Sequence, residues 1–217
     1  MIISRARKFI FVHIPKTGGT ALSLALEARA AKDDILIGDT PKAQARKGRL
    51  KGMQSAGRLW KHATLADIAG VVSPDEMAGF FIVTLVRNPW DRMVSYYHWL
   101  RMQSFAHPAV GLAKGHDFSG FLNHAQTRTS VQQWPSAAYM RDAMGMERAS
   151  LYVRLEHLEA DIAPFEAHLG FRVTPLARIN TSDRPKDWRS AYSDNDATLV
   201  SRLCADDIAR FGYRFDG

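Results

Sequence analysis

Three short apolar stretches along the chain are each followed by a turn and then by a helical pattern. The apolar runs cover residues 8–14, 80–86 and 150–155, and the helical patterns cover 21–31, 89–102 and 158–169. Short runs rich in β-branched and aromatic residues are typical of buried strands. Strands that alternate with helices favour a parallel sheet flanked by helices, so the sequence predicts an α/β fold.

The start of the second helix has the clearest local signals. Asn88 is a favourable N-cap and Pro89 suits the first helical position. Asp91 places a negative charge near the positive end of the helix. A further helix is predicted over residues 194–211, where apolar residues recur at the spacing of one packing face.

Two segments interrupt the alternation of strands and helices. Residues 40–61 hold seven Lys or Arg, no acidic residue and three glycines, and we expect a mobile basic excursion there. A run of cations usually forms a solvated face. Because the segment lies just before His62, the alternative interpretation is that it binds an anionic ligand. Residues 104–133 mix His, Gly and Asn with aromatic residues and are expected to form helical insertions.

Length and composition favour a single domain over residues 1–217, because 46% hydrophobic residues suffice for one sizeable core. The longest uncharged apolar stretch, residues 78–86, is far shorter than the ~20 residues of a membrane helix. The N-terminal residues also lack the apolar core of a signal peptide. The single cysteine, Cys204, excludes an internal disulfide. We therefore expect a cytoplasmic protein in which Cys204 is a small buried residue.

The positive net charge of the chain indicates which kind of partner it binds. Lysine and arginine exceed aspartate and glutamate by 29 − 22 = 7, which favours anionic partners. Nucleotides, sulfated glycans and nucleic acids all satisfy this condition. Because no helix-turn-helix, zinc-finger or RNP-type signature accompanies the charge, we expect no nucleic-acid partner and a polyanionic cofactor instead.

A loop rich in Pro and Gly separates the first predicted strand from the first helix. Gly18 and Gly19 allow a tight turn, the helix N-terminus presents N–H groups, and Lys16 adds a positive charge. These features predict a site for phosphate or sulfate. Lys16 precedes the glycines, so the pattern G-x-x-x-x-G-K-[ST] of magnesium-dependent nucleotide hydrolysis is absent. A plain strand-to-helix turn with a solvated Lys16 is the alternative interpretation.

A second group of residues follows the second predicted strand. Arg87 ends that strand and Ser95 lies two helical turns later, so a guanidinium and a hydroxyl could meet at one anion. Open α/β sheets bind ligands beyond the carboxyl ends of their strands. On the alternative interpretation, Arg87 is a capping or surface residue and Ser95 is incidental.

Residues 9–20 and 86–97 together resemble the two motifs of the sulfotransferase superfamily that bind 3′-phosphoadenosine 5′-phosphosulfate (PAPS). The first reads Phe-Ile-Phe-Val-His-Ile-Pro-Lys-Thr-Gly-Gly-Thr and the second Val-Arg-Asn-Pro-Trp-Asp-Arg-Met-Val-Ser-Tyr-Tyr. They are most similar to the group containing the heparan sulfate 2-O-sulfotransferases and many bacterial homologues. The resemblance implies a P-loop-NTPase-like sulfotransferase fold and PAPS as cofactor, without a metal.

The resemblance also implies roles for individual residues. The loop residues would hold the 5′-phosphosulfate, and Arg87 and Ser95 would hold the 3′-phosphate. The loop set is Pro15, Lys16, Thr17, Gly18, Gly19 and Thr20. A weaker resemblance covers residues 154–158, 178–182 and 211–213, and makes Asn180, Ser182 and Arg184 auxiliary cofactor ligands. An ordinary polar loop is the alternative for those three residues.

Transfer to a hydroxyl or amine requires a base, and histidine titrates in the useful range. His62, in Lys-His-Ala-Thr, resembles the His-x-Ser/Thr element that supplies the base in the 2-O-sulfotransferase group. His13 is the main rival because it adjoins the loop, although its alternation with Phe11 also suits a core position. His98 could equally lie on a helix surface. No group of residues has the spacing of metal ligands.

The sequence thus predicts sulfuryl transfer from PAPS to an acceptor hydroxyl or amine, with Lys16 and His62 as the catalytic residues. The product of the donor would be adenosine 3′,5′-bisphosphate (PAP). A nucleotide- or polyanion-binding module and an atypical nucleotide kinase are the alternatives. Glycan, lipid, peptide tyrosine and small metabolite all remain open as acceptors, since acceptor choice depends on variable loops.

Overall fold

The computed structural model describes residues 1–177, 179 and 187–216. A five-stranded sheet has the strand order β3-β1-β2-β4-β5. Strands β2, β4 and β5 are parallel to one another, whereas β1 is antiparallel to both β2 and β3. The strands are β1 (Ile2–Ser4), β2 (Phe9–Val12), β3 (Ile35–Leu36), β4 (Phe81–Val86) and β5 (Leu151–Arg154).

The predicted α/β class is therefore confirmed, and the three predicted strands are the parallel ones. The two antiparallel strands were not predicted. Strand β1 has three residues and β3 has two, which is too short for any periodic pattern to be read.

Within the described residues, twelve α-helices and three 3-10 helices accompany the sheet. The α-helices are α1 (Gly19–Ala28), α2 (Pro41–Ala45), α3 (Pro74–Ala78), α4 (Pro89–Arg101), α5 (Pro108–Gly115), α6 (Phe118–Asn123), α7 (Ala125–Gln133), α8 (Ser136–Tyr139), α9 (Leu158–Asp161), α10 (Ala163–Leu169), α11 (Asp194–Leu203) and α12 (Ala205–Phe211). The 3-10 helices are Lys47–Leu50, Leu155–His157 and Trp188–Ala191.

The chain divides into two compact units. The first comprises Met1–Val86 and Ser136–Ile179, and the second comprises Arg87–Pro135 and Asn180–Gly217. This division does not test the single domain expected over residues 1–217, which stays a prediction.

The core of the first unit forms on the sheet. Phe9 and Phe11 are buried on one face of β2 with Leu22 of α1, and the Phe9 ring meets the Phe165 ring at 5.4 Å. The intervening Ile10 is also buried, so both faces of the strand are covered, as expected of a parallel strand.

The core of the second unit is built from helices. Trp90 of α4 is buried and donates its indole N–H to the Ala197 carbonyl of α11 at 2.9 Å. Helices α5 to α7 occupy the segment in which helical insertions are expected. The predicted C-terminal helix is interrupted at Cys204, which lies between α11 and α12.

The basic segment 40–61 is anchored, in contrast to the expected mobile excursion. Lys42 donates to the Glu27 carbonyl, Arg46 donates to the Ala31 carbonyl at 2.8 Å, and Arg49 donates to the Lys32 carbonyl. These carbonyls lie at and just beyond the end of α1, where the helix dipole attracts cations. Part of the positive charge therefore serves to hold the segment against α1.

No helix in the described part of the chain combines the length and the apolar character needed to cross a membrane.

Candidate functional site

The loop between β2 and α1 has an unusual backbone. Lys16 has a φ of 65° and Gly18 a φ of 86°, both in the left-handed region. For Lys16 this conformation is strained by roughly 1–2 kcal/mol, because its Cβ approaches the following carbonyl oxygen. The Thr17 hydroxyl, which is buried, donates to the Ile14 carbonyl at 2.9 Å and stabilises the turn. Such strain persists where surrounding contacts enforce it, and it clusters at ligand sites.

The N-terminus of α1 opens from this loop. Gly18 is the N-cap and offers no side-chain cap to the first N–H groups, and the first turn contains no acidic residue. The helix dipole and the charge of Lys16 therefore both favour binding of an anion at this end of α1. This end of the helix suits a phosphate or sulfate group.

Both glycines of the loop are required by their neighbours. A Cβ built on Gly18 would lie 2.9 Å from Leu155 Cδ1, and one built on Gly19 would overlap the imidazole ring of His13. The sequence indicated the need for glycine but not these two neighbours. Leu155 and His13 therefore leave no room for a side chain at Gly18 and Gly19.

His13 and His62 lie beside each other. His62 Nδ1 is 2.7 Å from the backbone oxygen of His13, and the two rings are 4.8 Å apart in an edge-to-face arrangement. A carbonyl oxygen only accepts, so Nδ1 of His62 must carry the hydrogen. In neutral His62 the other nitrogen, Nε2, then has a lone pair and can accept a proton.

The surroundings keep both imidazoles neutral. Burial lowers the pKa of His62 to about 4, against the opposing effect of its hydrogen bond to the His13 carbonyl. Burial, reinforced by the neighbouring His62, lowers the pKa of His13 well below its usual value. His62 thus has the protonation state of a base at neutral pH.

The chain around His62 is held by local hydrogen bonds. The Ala63 N–H donates to the Trp60 carbonyl at 2.9 Å, which closes a turn over His62. The Thr64 N–H and hydroxyl both donate to Asp67, at 2.7 and 2.9 Å.

Two neighbours of His62 were not predicted as functional residues. The Trp60 ring lies 5.1 Å from the His62 ring, and the Arg58 guanidinium lies 5.5 Å from the centre of the Trp60 ring. The sequence signal that could have identified them is their spacing, because Arg58, Trp60 and His62 occupy every second position of the chain.

Arg87 and Ser95 belong to the second unit, where Arg87 lies two residues before α4 and Ser95 lies in its middle. Arg87 donates from Nε and Nη2 to Asp91 Oδ2, at 2.8 and 2.6 Å, in a largely buried ion pair. Asp91 and Ser95 are four residues apart and share a helix face. Asp91 therefore orients Arg87, a role beyond the helix-dipole effect expected from the sequence.

The three residues predicted as auxiliary cofactor ligands, Asn180, Ser182 and Arg184, lie outside the described residues. Among residues 1–177, 179 and 187–216, no three His, Cys, Asp or Glu side chains are grouped as a metal ion would require. Cys204, predicted to be a small buried residue, is half-buried, and desolvation raises the pKa of its thiol to about 12.

Comparison with known proteins gives one family. The family model described as "Sulfotransferase family" matches residues 1–214. Mouse sulfotransferase SULT7A1, in a crystal structure complexed with PAP, is similar with a TM-score of 0.46 and 15% identity, over 95% of this chain and 85% of that chain. No curated protein matches the sequence.

Proposed function

The chain belongs to the sulfotransferase family, and from this membership we propose that it transfers a sulfuryl group from PAPS to an acceptor hydroxyl or amine. The 5′-phosphosulfate binds at Pro15, Lys16, Thr17, Gly18, Gly19 and Thr20. His62 is the base. The 3′-phosphate binds Arg87 and Ser95, and Asn180, Ser182 and Arg184 assist.

One observation supports this assignment above the others. The His13 ring lies against Gly19 of the anion-binding loop and 4.8 Å from the His62 ring. A neutral imidazole with a defined tautomer is therefore close to a loop suited to a sulfate or phosphate. A loop that served only to turn the chain would need neither the strained Lys16 nor this histidine pair.

The reaction is an in-line displacement at sulfur. His62 Nε2 takes the proton of the acceptor as the acceptor oxygen or nitrogen forms its bond to sulfur, and the bond from sulfur to the bridging phosphate oxygen breaks. Lys16 and the N–H groups at the start of α1 stabilise the charge that develops on the departing phosphate of PAP. Positioning and electrostatic stabilisation supply most of the catalysis, as in phosphoryl transfer.

Lys16 and the backbone donors supply positive charge at the loop, so we propose that no metal is required. A cytoplasmic location and a bacterial-type enzyme stay predictions from the sequence. We propose a glycan as the acceptor class.

Calorimetric titration with PAP tests the assignment. We expect binding that is unchanged by EDTA and is weakened by Lys16→Ala and by Arg87→Ala. Labelled PAPS then tests turnover, which His62→Ala should abolish without loss of PAP binding. Preference for magnesium-ATP would contradict the assignment, and PAP binding that persists without any transfer would favour a binding module.

A further inference from the structure

An exposed connection with large apolar side chains joins helices α4 and α5 of the second unit. It comprises residues 102–107, of which Met102 is 58% and Phe105 48% exposed. Residues 104–108 are all exposed. Large apolar side chains that lie close together on a surface mark a place where a partner binds.

Contacts within the second unit hold this connection in place. The Tyr97 hydroxyl donates to the His116 carbonyl at 2.9 Å, so the end of α5 lies beside the last turns of α4. The two helices therefore form a hairpin with the connection at its tip. The Gln103 amide donates to the Trp99 carbonyl at 2.8 Å, and the rings of Trp99 and Phe105 are 6.1 Å apart. Phe105 is thus held at the surface by a neighbouring ring, and a preformed tip loses little entropy on binding.

The sequence around the tip is positively charged. Residues 92–116 contain no aspartate or glutamate. Arg101, which directly precedes Met102, and Lys114 of α5 are both exposed. A surface that combines apolar side chains with cations is complementary to a partner that is apolar inside and negatively charged outside.

The size of the tip favours a lipid surface over a protein. A stable protein interface takes about 20–30 residues on each side, far more than the tip offers. A bilayer needs no matching shape, because apolar side chains enter the boundary between headgroups and acyl chains and cations stay among the headgroups. Arg101 also lies over the Tyr97 ring, at 5.5 Å from its centre, and attraction to a charged surface does not require this contact to break.

We propose that the hairpin tip, residues 101–108, docks on the surface of an anionic membrane. Met102 and Phe105 enter the interface, and the Arg101 guanidinium lies among the lipid headgroups. So few side chains give weak, reversible binding, comparable to that of a single acyl anchor. This inference goes beyond the proposed function and does not depend on it.

Co-sedimentation with vesicles tests the docking at physiological ionic strength. Vesicles of phosphatidylcholine alone are compared with vesicles that contain about one third phosphatidylserine. The variants are Met102→Ser/Phe105→Ser and Arg101→Gln. Because anionic headgroups could also bind at the loop after β2, each measurement is repeated with excess PAP and with Lys16→Ala.

A loop in the first unit offers matched controls. Met144 and Met146 are 83% and 58% exposed and follow an exposed arginine, Arg141. That loop also holds Asp142 and Glu147, so its charge does not favour an anionic surface. Met144→Ser/Met146→Ser and Arg141→Gln therefore make the same chemical changes in a different electrostatic setting.

We expect the wild type to bind the anionic vesicles and to bind neutral ones much more weakly. Met102→Ser/Phe105→Ser should weaken binding about tenfold or more, and Arg101→Gln about fivefold. The two controls, PAP and Lys16→Ala should leave binding unchanged. All the substituted side chains of the tip are exposed, so thermal unfolding should be the same in the variants and the wild type.

A fluorophore provides a second measurement in the Cys204→Ser background. An environment-sensitive label on Met102→Cys should shift to shorter wavelength when anionic vesicles are added, whereas the same label on Met144→Cys should not.

Four results would overturn the docking. They are absence of binding to anionic vesicles, binding that the tip variants leave unchanged, binding that PAP or Lys16→Ala abolishes, and self-association of the wild type that Met102→Ser/Phe105→Ser removes. Each concerns the tip alone, whereas failure to bind PAP or to turn over PAPS would overturn the proposed function.

Discussion

The Nδ1 atom of His62 lies 2.7 Å from the backbone carbonyl oxygen of His13. Because a backbone carbonyl has no alternative protonation state, this bond fixes the tautomer of His62 without help from a carboxylate. The imidazole ring of His13 also packs against Gly19 of the anion-binding loop. The end of β2 thus positions both the anion-binding loop and the proposed base.

The pH dependence of transfer should report the buried state of His62. Its pKa is about 4 and only the neutral form accepts a proton. We expect kcat/KM to be level between about pH 5.5 and 7.5, and to fall as the pH decreases through about 4. A fall centred near 6.5, the ordinary value for histidine, would contradict this, provided that circular dichroism shows the protein folded at each pH. His98→Gln should leave the profile unchanged.

Stability should also depend on this histidine pair. The folded-state pKa of each imidazole is lowered, so between about pH 6.5 and 4 the unfolded chain binds more protons than the folded one. The free energy of unfolding should therefore decrease as the pH falls through that window, by at most about 1.4 kcal/mol per pH unit per histidine.

Urea unfolding of the wild type and of His62→Asn at several pH values measures this effect. The asparagine amide nitrogen takes the place of Nδ1 and can donate to the His13 carbonyl, so the variant is designed to keep this hydrogen bond and to lose one titrating group. Its stability should vary less with pH than that of the wild type, and equal slopes would show that His62 does not titrate in this window.

The sequence predicted the parts of the fold that have local signals. Asn88 and Pro89 fixed the start of α4, and its N-cap bond from the Trp90 N–H to Asn88 Oδ1 is present at 3.1 Å. The short strands β1 and β3 have no such signal, since they depend on pairing between distant residues. For the same reason the contact of His13 with His62, 49 residues apart, could not be predicted from spacing.

Substitution of Lys16 by glycine should change the stability of the protein and its affinity for PAP in opposite directions. Lys16→Gly relieves the left-handed strain at a φ of 65°, so we expect a gain of about 0.5–1 kcal/mol in stability. It also removes the charge, so affinity for PAP should fall. Lys8→Gly, at the other described non-glycine residue with positive φ (50°), should raise stability without changing the affinity. A Lys16→Gly variant that binds PAP normally would exclude Lys16 from the site.

Substitution of either loop glycine, Gly18 or Gly19, by alanine should destabilise the protein, for a different reason in each case. Gly19→Ala forces the new Cβ against the His13 ring, so we expect a loss of about 1–3 kcal/mol and a shift of the His13 NMR signals. Gly18→Ala meets Leu155 and also keeps the unfavourable φ of 86°, so adding Leu155→Ala should relieve only the steric part. Gly48→Ala, which has open space around its Cβ, is the control. Recovery of full stability in the double variant would mean that the backbone conformation costs nothing.

The role of Arg87 can be tested by comparing two nucleotides that differ in one phosphate. If Arg87 binds the 3′-phosphate, Arg87→Ala should weaken PAP by about 10- to 100-fold and leave AMP, which lacks that group, unchanged. Arg87→Lys should not restore affinity, because a single ammonium cannot both replace the two donors to Asp91 and bind the phosphate. Arg128→Ala controls for net charge. If Arg87→Ala weakened the binding of PAP and AMP equally, Arg87 would act through the structure around α4 and would not bind the 3′-phosphate.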